Sequence, residues 1–380
     1  GVEDVVSSAR IQWRPLLALT CIMVMTGAVQ EVGAFERLAL RLEAYARRTS
    51  PARAFTAVFV ASVVTPSLLN NDAAILLLTP LVVAFTRRMY AGRPALTQAF
   101  AFAVFLAPGV APFVVSNPMN MIVAEFAGVG FNAYAAVMLP ISVAGALLTY
   151  VLLRAHFRRE LSSATVVPER ASPVVVPPAR PGERPALALL LAVFLAYPLV
   201  AKAGGPLWAV SAAGAAGSLA VVRAYRVAPA QKVLGHVSVD ILVFLWGVFI
   251  VVVGLQHVGV VDRLAAVFEA VPAGSARQFG VVGVVAALGS AAVDNHPMSI
   301  LDMMALGKHG GHGPLLAALV GGDIGPRLLP IGSLAGLLWM DLLRRAGVEI
   351  PIGKFVRLGV LVLVPTLGLS LGMLWLLTRG

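Results

Sequence analysis

The amino-acid sequence predicts an all-α polytopic membrane protein made of two inverted-topology repeats, each with a re-entrant helical hairpin and a broken transmembrane helix. Three observations lead there. Of the 380 residues, 59% are hydrophobic and only 12% are charged, too few charges to clothe a soluble domain of this size. Polar clusters, Asn70-Asn71-Asp72 and Asp294-Asn295-His296, interrupt long apolar segments, where polar and ionisable groups are costly and usually carry function. A stretch of the first half also recurs in the second. The net charge of +11 gathers in short segments between apolar runs, which points to membrane topology and not to a nucleic-acid partner. A single cysteine, Cys21, excludes an internal disulfide and offers no thiol cluster to a soft metal. No metal, cofactor or enzyme signature such as a His-Glu motif or a Ser/Lys dyad is visible.

A spanning helix needs about 20 mostly apolar residues, and the first runs from about Trp13 to Val32. Phe35 to Arg48 sets Phe35, Leu38, Leu42 and Tyr45 opposite Glu36, Arg37, Arg41, Glu43 and Arg47, an amphipathic helix suited to the membrane interface. The 33 residues between Arg53 and Arg87 would make a helix of about 50 Å, against about 30 Å of hydrocarbon. Arg at both ends and a polar break midway predict a hairpin over about 53–88, entering and leaving on one side with Asn70 to Asp72 at its tip. The next apolar segment, about 94–127, is interrupted by Pro108-Gly109, Pro112 and Ser116-Asn117-Pro118-Met119-Asn120, which predicts a broken spanning helix. Phe131 to Leu153 is an ordinary span. Residues 154–184, rich in Arg and Pro, form a linker that divides a first repeat, 1–153, from a second, 185–380. Spans follow near Pro185 to Ala201, Leu207 to Val222 and Asp240 to Gln256, then a second hairpin over about 278–306 and a second broken helix over about 314–342.

The repeat is explicit between Gln30–Ala44 and Gln256–Ala270, where eight of fifteen positions are identical at a constant offset of 226. Transporter folds commonly carry such symmetry. If both hairpins are re-entrant, 21 of the 29 Lys and Arg fall in segments 37–53, 87–93, 154–184, 223–232 and 344–357. That bias makes those loops cytoplasmic and the repeats inverted. Only Gly1 to Gln12 precedes the first span, whereas two spans precede its counterpart near Asp240, so up to two further N-terminal helices are expected.

The candidate site is the meeting of four interrupted segments: the two hairpin tips, the break at Ser116-Asn117-Pro118-Met119-Asn120, and the break from Asp323 to Ser333. Broken helices offer free backbone donors, acceptors and dipole ends to a ligand. Asn117, Asn120 and Ser333 also read plainly as helix caps or interhelical hydrogen bonds. His296 is either a proton relay or a partner for nearby backbone, and Glu125 either a proton site or a snorkelling acid. Arg327 is read as pairing with Asp323. Glu31, Asp302, His309 and His312 are read as span-end or loop residues.

These residues carry a resemblance. Asn71-Asp72 with Leu78-Thr79-Pro80, Val115-Ser116-Asn117 with Asn120, Asn295 with Pro297, and Gly322-Asp323-Ile324-Gly325-Pro326-Arg327 leading to Pro330-Ile331-Gly332-Ser333-Leu334-Ala335 and Leu337-Leu338-Trp339 look like the ArsB arsenite efflux pump family. That family belongs to the ion transporter superfamily, with NhaD-type sodium/proton antiporters and divalent-anion/sodium symporters. The resemblance runs from Trp13 to about Leu377. It implies a scaffold and a mobile transport domain containing both hairpins, moving like an elevator, and export of arsenite or antimonite in exchange for protons across the inner (plasma) membrane. Asn70, Asn71, Ser116, Asn117, Asn120, Asn295 and Ser333 would then bind substrate, and Asp72, Asp294, Asp323, His296 and Glu125 would couple protons. Two departures stand out: Ala107 where the family usually has an acidic residue, and Asp294 where it has Asn. Sodium/proton antiport is the alternative, and carboxylate symport a weaker one, since three Asp against one Arg disfavour an anion. A partner ATPase and a homodimer stay open.

Overall fold

The computed structural model describes residues 2–69, 71–90, 92–163, 174–307 and 311–379, and their side chains outside 2–11, 71–73 and 163. Every regular element among the described residues is helical, and eight helices are long and apolar enough to cross a membrane. The first half contains α1 (Val2–Glu31), α2 (Ala34–Arg47), α3 (Pro51–Leu68), α4 (Asn71–Met89), α5 (Pro94–Leu106), α6 (Pro118–Ala127) and α7 (Phe131–His156). After it come α8 (Arg158–Ser163), α9 (Glu183–Lys202), α10 (Leu207–Ala224) and α11 (Ala230–Leu234). The second half contains α12 (Val239–His257), α13 (Val260–Glu269), α14 (Ala276–Val293), α15 (Asn295–Leu306), α16 (His312–Ile324), α17 (Leu334–Arg345) and α18 (Ile352–Leu377).

The two halves use the same local devices in the same order. Gly33 and Gly259 take left-handed conformations, φ 78° and 76°, to turn the chain from α1 into α2 and from α12 into α13. Ser50 and Ser275 cap α3 and α14 by accepting from the N–H of Arg53 and Gln278. Between α5 and α6 the only regular structure is a 3₁₀ turn, Val114–Ser116, and between α16 and α17 there are two, Gly325–Arg327 and Pro330–Gly332. The helices that resume are capped by Asn117 and Ser333, whose side chains accept from Met119 N–H at 3.0 Å and Gly336 N–H at 3.0 Å.

The helix pairs cross-brace the halves. α4 packs on α5 and on α17, whereas α15 packs on α16 and on α6. Each pair thus leans on the first part of its own broken helix and the second part of the other. Around α3, α4, α5 and α17 the core is aromatic: Trp339 is fully buried, stacks on Phe105, and donates from its indole to Ala101 O at 3.2 Å. Apolar residues at a spacing of four stay exposed along α7 (Leu139, Val143, Leu147, Val151) and α9 (Leu187, Leu191, Leu195, Leu199), continuous stripes that suit lipid and not water.

Two expectations are corrected. The amphipathic α2 follows its expected faces only in part: Phe35 is buried and Glu36 and Arg41 are exposed, but Arg37 and Glu43 are buried, Arg37 pairing with Glu183 at 2.9 Å and Glu43 with Arg47 and Arg88 at 2.7 and 3.0 Å, while Tyr45 is exposed. Arg37 and Glu43 tie the helix to α9 and α4. The segments expected as loops are also partly helical, since α8 lies within 154–184 and Lys354 and Arg357 lie within α18.

α14 and α16 approach closely because Gly321 and Gly325 have no side chain. A Cβ on Gly325 would be driven into the carbonyl of Ala287, and one on Gly321 into that of Gly283. Backbone cannot move aside as a side chain can, and overpacking of this kind costs about 1–3 kcal/mol or more. Gly325→Ala is therefore expected to lower the midpoint of thermal unfolding in detergent, whereas Gly274→Ser, where a Cβ meets nothing within 4 Å, should be limited to the small strain of its positive φ.

Candidate functional site

The two breaks face each other across a cavity of about 60 Å³. Its wall includes Ser67 on α3, Ala107, Ser116 and Asn117 at the first break, Ser142 on α7, Asn295 at the start of α15, and Asp323, Arg327 and Ser333 at the second break. Five residues expected to form the site, Ser116, Asn117, Asn295, Asp323 and Ser333, are thus brought together. Asn70 lies outside the described residues, as do the side chains of Asn71 and Asp72.

Asp323 anchors the wall. Its Oδ2 accepts from Ala111 N–H at 2.8 Å, its Oδ1 accepts from Asn117 Nδ2 at 3.0 Å, and Asn120 Nδ2 approaches Oδ2 at 3.5 Å. The carboxyl of the second half is therefore gripped by the broken backbone of the first. Asn117 is bound at both ends of its amide, since its Oδ1 caps α6. Asn120 is fully buried, and its Nδ2 also donates to the Tyr134 hydroxyl at 2.6 Å, which donates in turn to Ala111 O at 3.1 Å. Ser116 Oγ donates to Ser67 O at 2.7 Å and joins the first break to the end of α3.

Arg327 is not held by Asp323. Its guanidinium donates to Thr366 Oγ1 at 3.0 Å and to the carbonyls of Leu106 and Pro108 at 2.8 and 2.9 Å. Those carbonyls sit where α5 stops, the negative end of a helix dipole with no helical donor left. Gly109 makes room, since a Cβ there would lie 2.9 Å from the guanidinium. The sequence expectation of an ion pair fails because a broken helix presents acceptors that sequence proximity does not reveal.

Three other expected site residues lie apart from the cavity. Asp294 Oδ1 accepts from His296 N–H at 2.9 Å and meets His296 Nδ1 at 2.7 Å, capping α15, while the His296 ring packs edge-on to Phe244. Asp294 has φ 88° and ψ 146°, a region that costs a residue with a side chain on the order of 1–3 kcal/mol. Glu125 pairs with Arg14 at 2.9 Å, with both side chains about half exposed. Of the residues read as span-end, Glu31 meets His236 and Lys232 at 2.8 Å each, His312 is exposed and His309 lies outside the described residues, but Asp302 is fully buried.

Sequence reasoning also missed Tyr134, Ser67 and Ser142. Tyr134 lies in an apolar span with no polar cluster beside it, and only the fold sets it against Asn120. Ala107, the departure from the family pattern, lies on the cavity wall opposite the half that carries Asp323.

The fold and site define a polytopic helical membrane protein with two interrupted helices closing on a small polar cavity. The chain matches the family model ArsB, arsenical pump membrane protein, over residues 1–377, and it belongs to that family. It is 30% identical over 377 residues to the arsenical pump membrane protein of Escherichia coli (strain K12), covering 96% of this chain and 86% of that protein. It is 29% identical over 392 residues to an uncharacterized transporter of Mycobacterium tuberculosis, at 96% and 86% coverage. The crystal structure of the Alcanivorax borkumensis YdaH transporter shares its fold, with a TM-score of 0.60 and 17% identity over 99% of this chain and 88% of that one. The family resemblance read from the sequence is borne out.

Two substitutions separate structural from peripheral roles. Arg327→Ala is expected to destabilise the protein by about 1–3 kcal/mol for each buried carbonyl it leaves without a donor. Glu125→Gln, which breaks only a half-exposed pair, should cost less than about 1 kcal/mol. Thermal unfolding of the two purified variants measures both.

Proposed function

We propose that this protein is a secondary active transporter that exports arsenite or antimonite in exchange for protons. The observation that carries the reading is the chemistry and size of the cavity. Its polar wall consists of amides, hydroxyls and broken backbone around one carboxyl and the guanidinium of Arg327; the carboxyl already accepts from Ala111, Asn117 and Asn120, and the guanidinium already donates to Thr366 and two carbonyls. About 60 Å³, at about 10–15 Å³ per enclosed water, admits a solute of a few heavy atoms. Arsenite at neutral pH is a small uncharged trihydroxide, each hydroxyl able to donate and accept. A di- or tricarboxylate would bring its charges against the carboxyl of Asp323, while the guanidinium of Arg327 is engaged by Thr366 and two carbonyls. The one cysteine, Cys21, packs with Val24, Ala28 and Ala215, away from the cavity wall, so recognition runs through hydroxyls and not through a thiolate. The arsenical pump relatives support the same substrate class.

An elevator-like movement fits the packing. None of the cavity wall comes from α1, α9 or α10, which pack on one another and suit a fixed scaffold. α3 to α6 and α14 to α17 would carry the site, as two inverted repeats with re-entrant hairpins. Segments 37–53, 87–93, 154–184, 223–232 and 344–357 would face the cytoplasm from the inner membrane. Sodium/proton exchange is the competing reading, favoured by the buried carboxyls Asp302 and Asp323.

A flux comparison of arsenite, antimonite, Na⁺ and succinate in one proteoliposome preparation decides between them. Arsenite movement is expected to follow a pH gradient, and Asp323→Asn should reduce it about tenfold or more, equivalent to about 1.4 kcal/mol of barrier, in protein that remains monodisperse. Sodium-driven proton flux without arsenite movement would replace the proposal with its rival.

A further inference from the structure

The site leaves one buried acid unused. Asp302 on α15 is fully buried, and neither of its carboxyl oxygens has a hydrogen-bond partner. A charge so placed would be uncompensated and very costly, so the packing favours the neutral acid. The residue is not isolated. Asn295, Ser299 and Asp302 are spaced i, i+4, i+7, one face of a helix, and all three are buried. Asn295 lines the cavity, and its Oδ1 also lacks a partner. Ser299 Oγ lies against Gly322, 3.0 Å from where a Cβ would be, with Ser290 Oγ of α14 at 3.7 Å from the same point. Ser290 is buried and its hydroxyl is unpartnered as well.

A polar file therefore leaves the cavity wall at Asn295, passes the two serines beside Gly322, and reaches Asp302 about 10 Å further along α15. Native interiors seldom leave several polar atoms on one route without partners. The charged surroundings do not explain Asp302. α15 packs on α14, α16, α13, α12 and α6. From these, Arg277, His312, Asp262, Arg263, Glu269, Asp240, His257 and Glu125 are exposed. Asp323 is engaged by the first break, and His296 on α15 itself is engaged by Asp294.

We propose that Asp302 is a proton-carrying acid reached from the cavity through the Asn295, Ser299 and Ser290 file, a titrating site separate from Asp323. The inference rests on the transport reading. The proton stays on the carboxyl oxygen while α15 is packed as seen here. When α15 shifts and water enters the file, the O–H bond breaks, the proton leaves to water and the carboxylate keeps the electron pair; return to this packing requires reprotonation.

Wild type and Asp302→Asn are compared in proteoliposomes in two modes: arsenite uptake driven by a pH gradient, and arsenite exchange at equal pH on both sides. The variant is expected to lose about tenfold or more of gradient-driven uptake while exchange stays within about twofold, within the usual range of coupling energies. Unchanged gradient-driven uptake overturns the proposal. Loss of both modes in folded variant also overturns it, by marking Asp302 as packing. If Asp302→Asn does not fold, Ser299→Val, which blocks the file and keeps the acid, should show the same split, and full coupling in that variant counts against the file. Should wild type move no arsenite in either mode, the transport reading fails instead. The protonated-carboxyl band in the infrared spectrum then still judges Asp302, since its absence from wild type at neutral pH overturns the inference without any substrate.

Discussion

Interrupting a helix inside a bilayer strips its last carbonyls of their donors, and no water is at hand to replace them. α5 stops at Leu106, and the carbonyls of Leu106 and Pro108 are satisfied by the guanidinium of Arg327 from the other half. A second connection from the same half runs through Asp323, whose carboxyl accepts from the N–H of Ala111 and the amide of Asn117. Both connections thus run one way: the second break supplies the cation and the carboxyl that the open backbone of the first requires. These two connections join the breaks at the wall of the cavity. Neither could be made by an unbroken helix, which would keep its own carbonyls and N–H groups.

The same arrangement determines what the cavity wall can offer. Arg327 is occupied by carbonyls and Thr366, so its donors are committed to structure although it lines the wall, and the remaining polar groups there are amides, hydroxyls and the carboxyl of Asp323. With an alanine at position 107, no second carboxyl stands at the first break. The carboxyl on the cavity wall is that of Asp323, and a further buried acid lies two turns beyond the start of α15, at Asp302. Both belong to the second half, within the helix pair and the break that follows it.

Much of this was legible in the amino-acid order, for identifiable reasons. The Pro, Gly and Asn of each break cannot continue a helix in a lipid environment, so the interruptions near Asn117 and Ser333 showed as punctuation in otherwise apolar runs. Asp323 showed because a carboxyl at such depth is costly. Pairings across the fold did not show. Arg327 stands four residues from Asp323, and its carbonyl acceptors are over 200 positions away; Tyr134 had no polar cluster beside it in sequence. The charges of α2 suggested a wet face, which holds for Glu36 and Arg41, and only the positions of Glu183 and Arg88 explain why Arg37 and Glu43 turn inward. Asp302 was passed over as a span-end or loop residue because Asn295 was read as part of a hairpin tip, and the face of α15 that runs from Asn295 through Ser299 to Asp302 was not considered.

The cross-bracing of the helix pairs has a consequence for how the chain is made. α4 rests on α17, and α6 on α15 and α16, so the first half leaves the ribosome with two of its elements lacking their resting places. More than 200 residues must still be synthesised before α17 is available to α4. The early half must then wait in the membrane in a provisional state, with the carbonyls of Leu106 and Pro108 uncovered, until Arg327 emerges. The packing of α4 and the covering of those carbonyls are therefore late steps, completed only once the second half has been made.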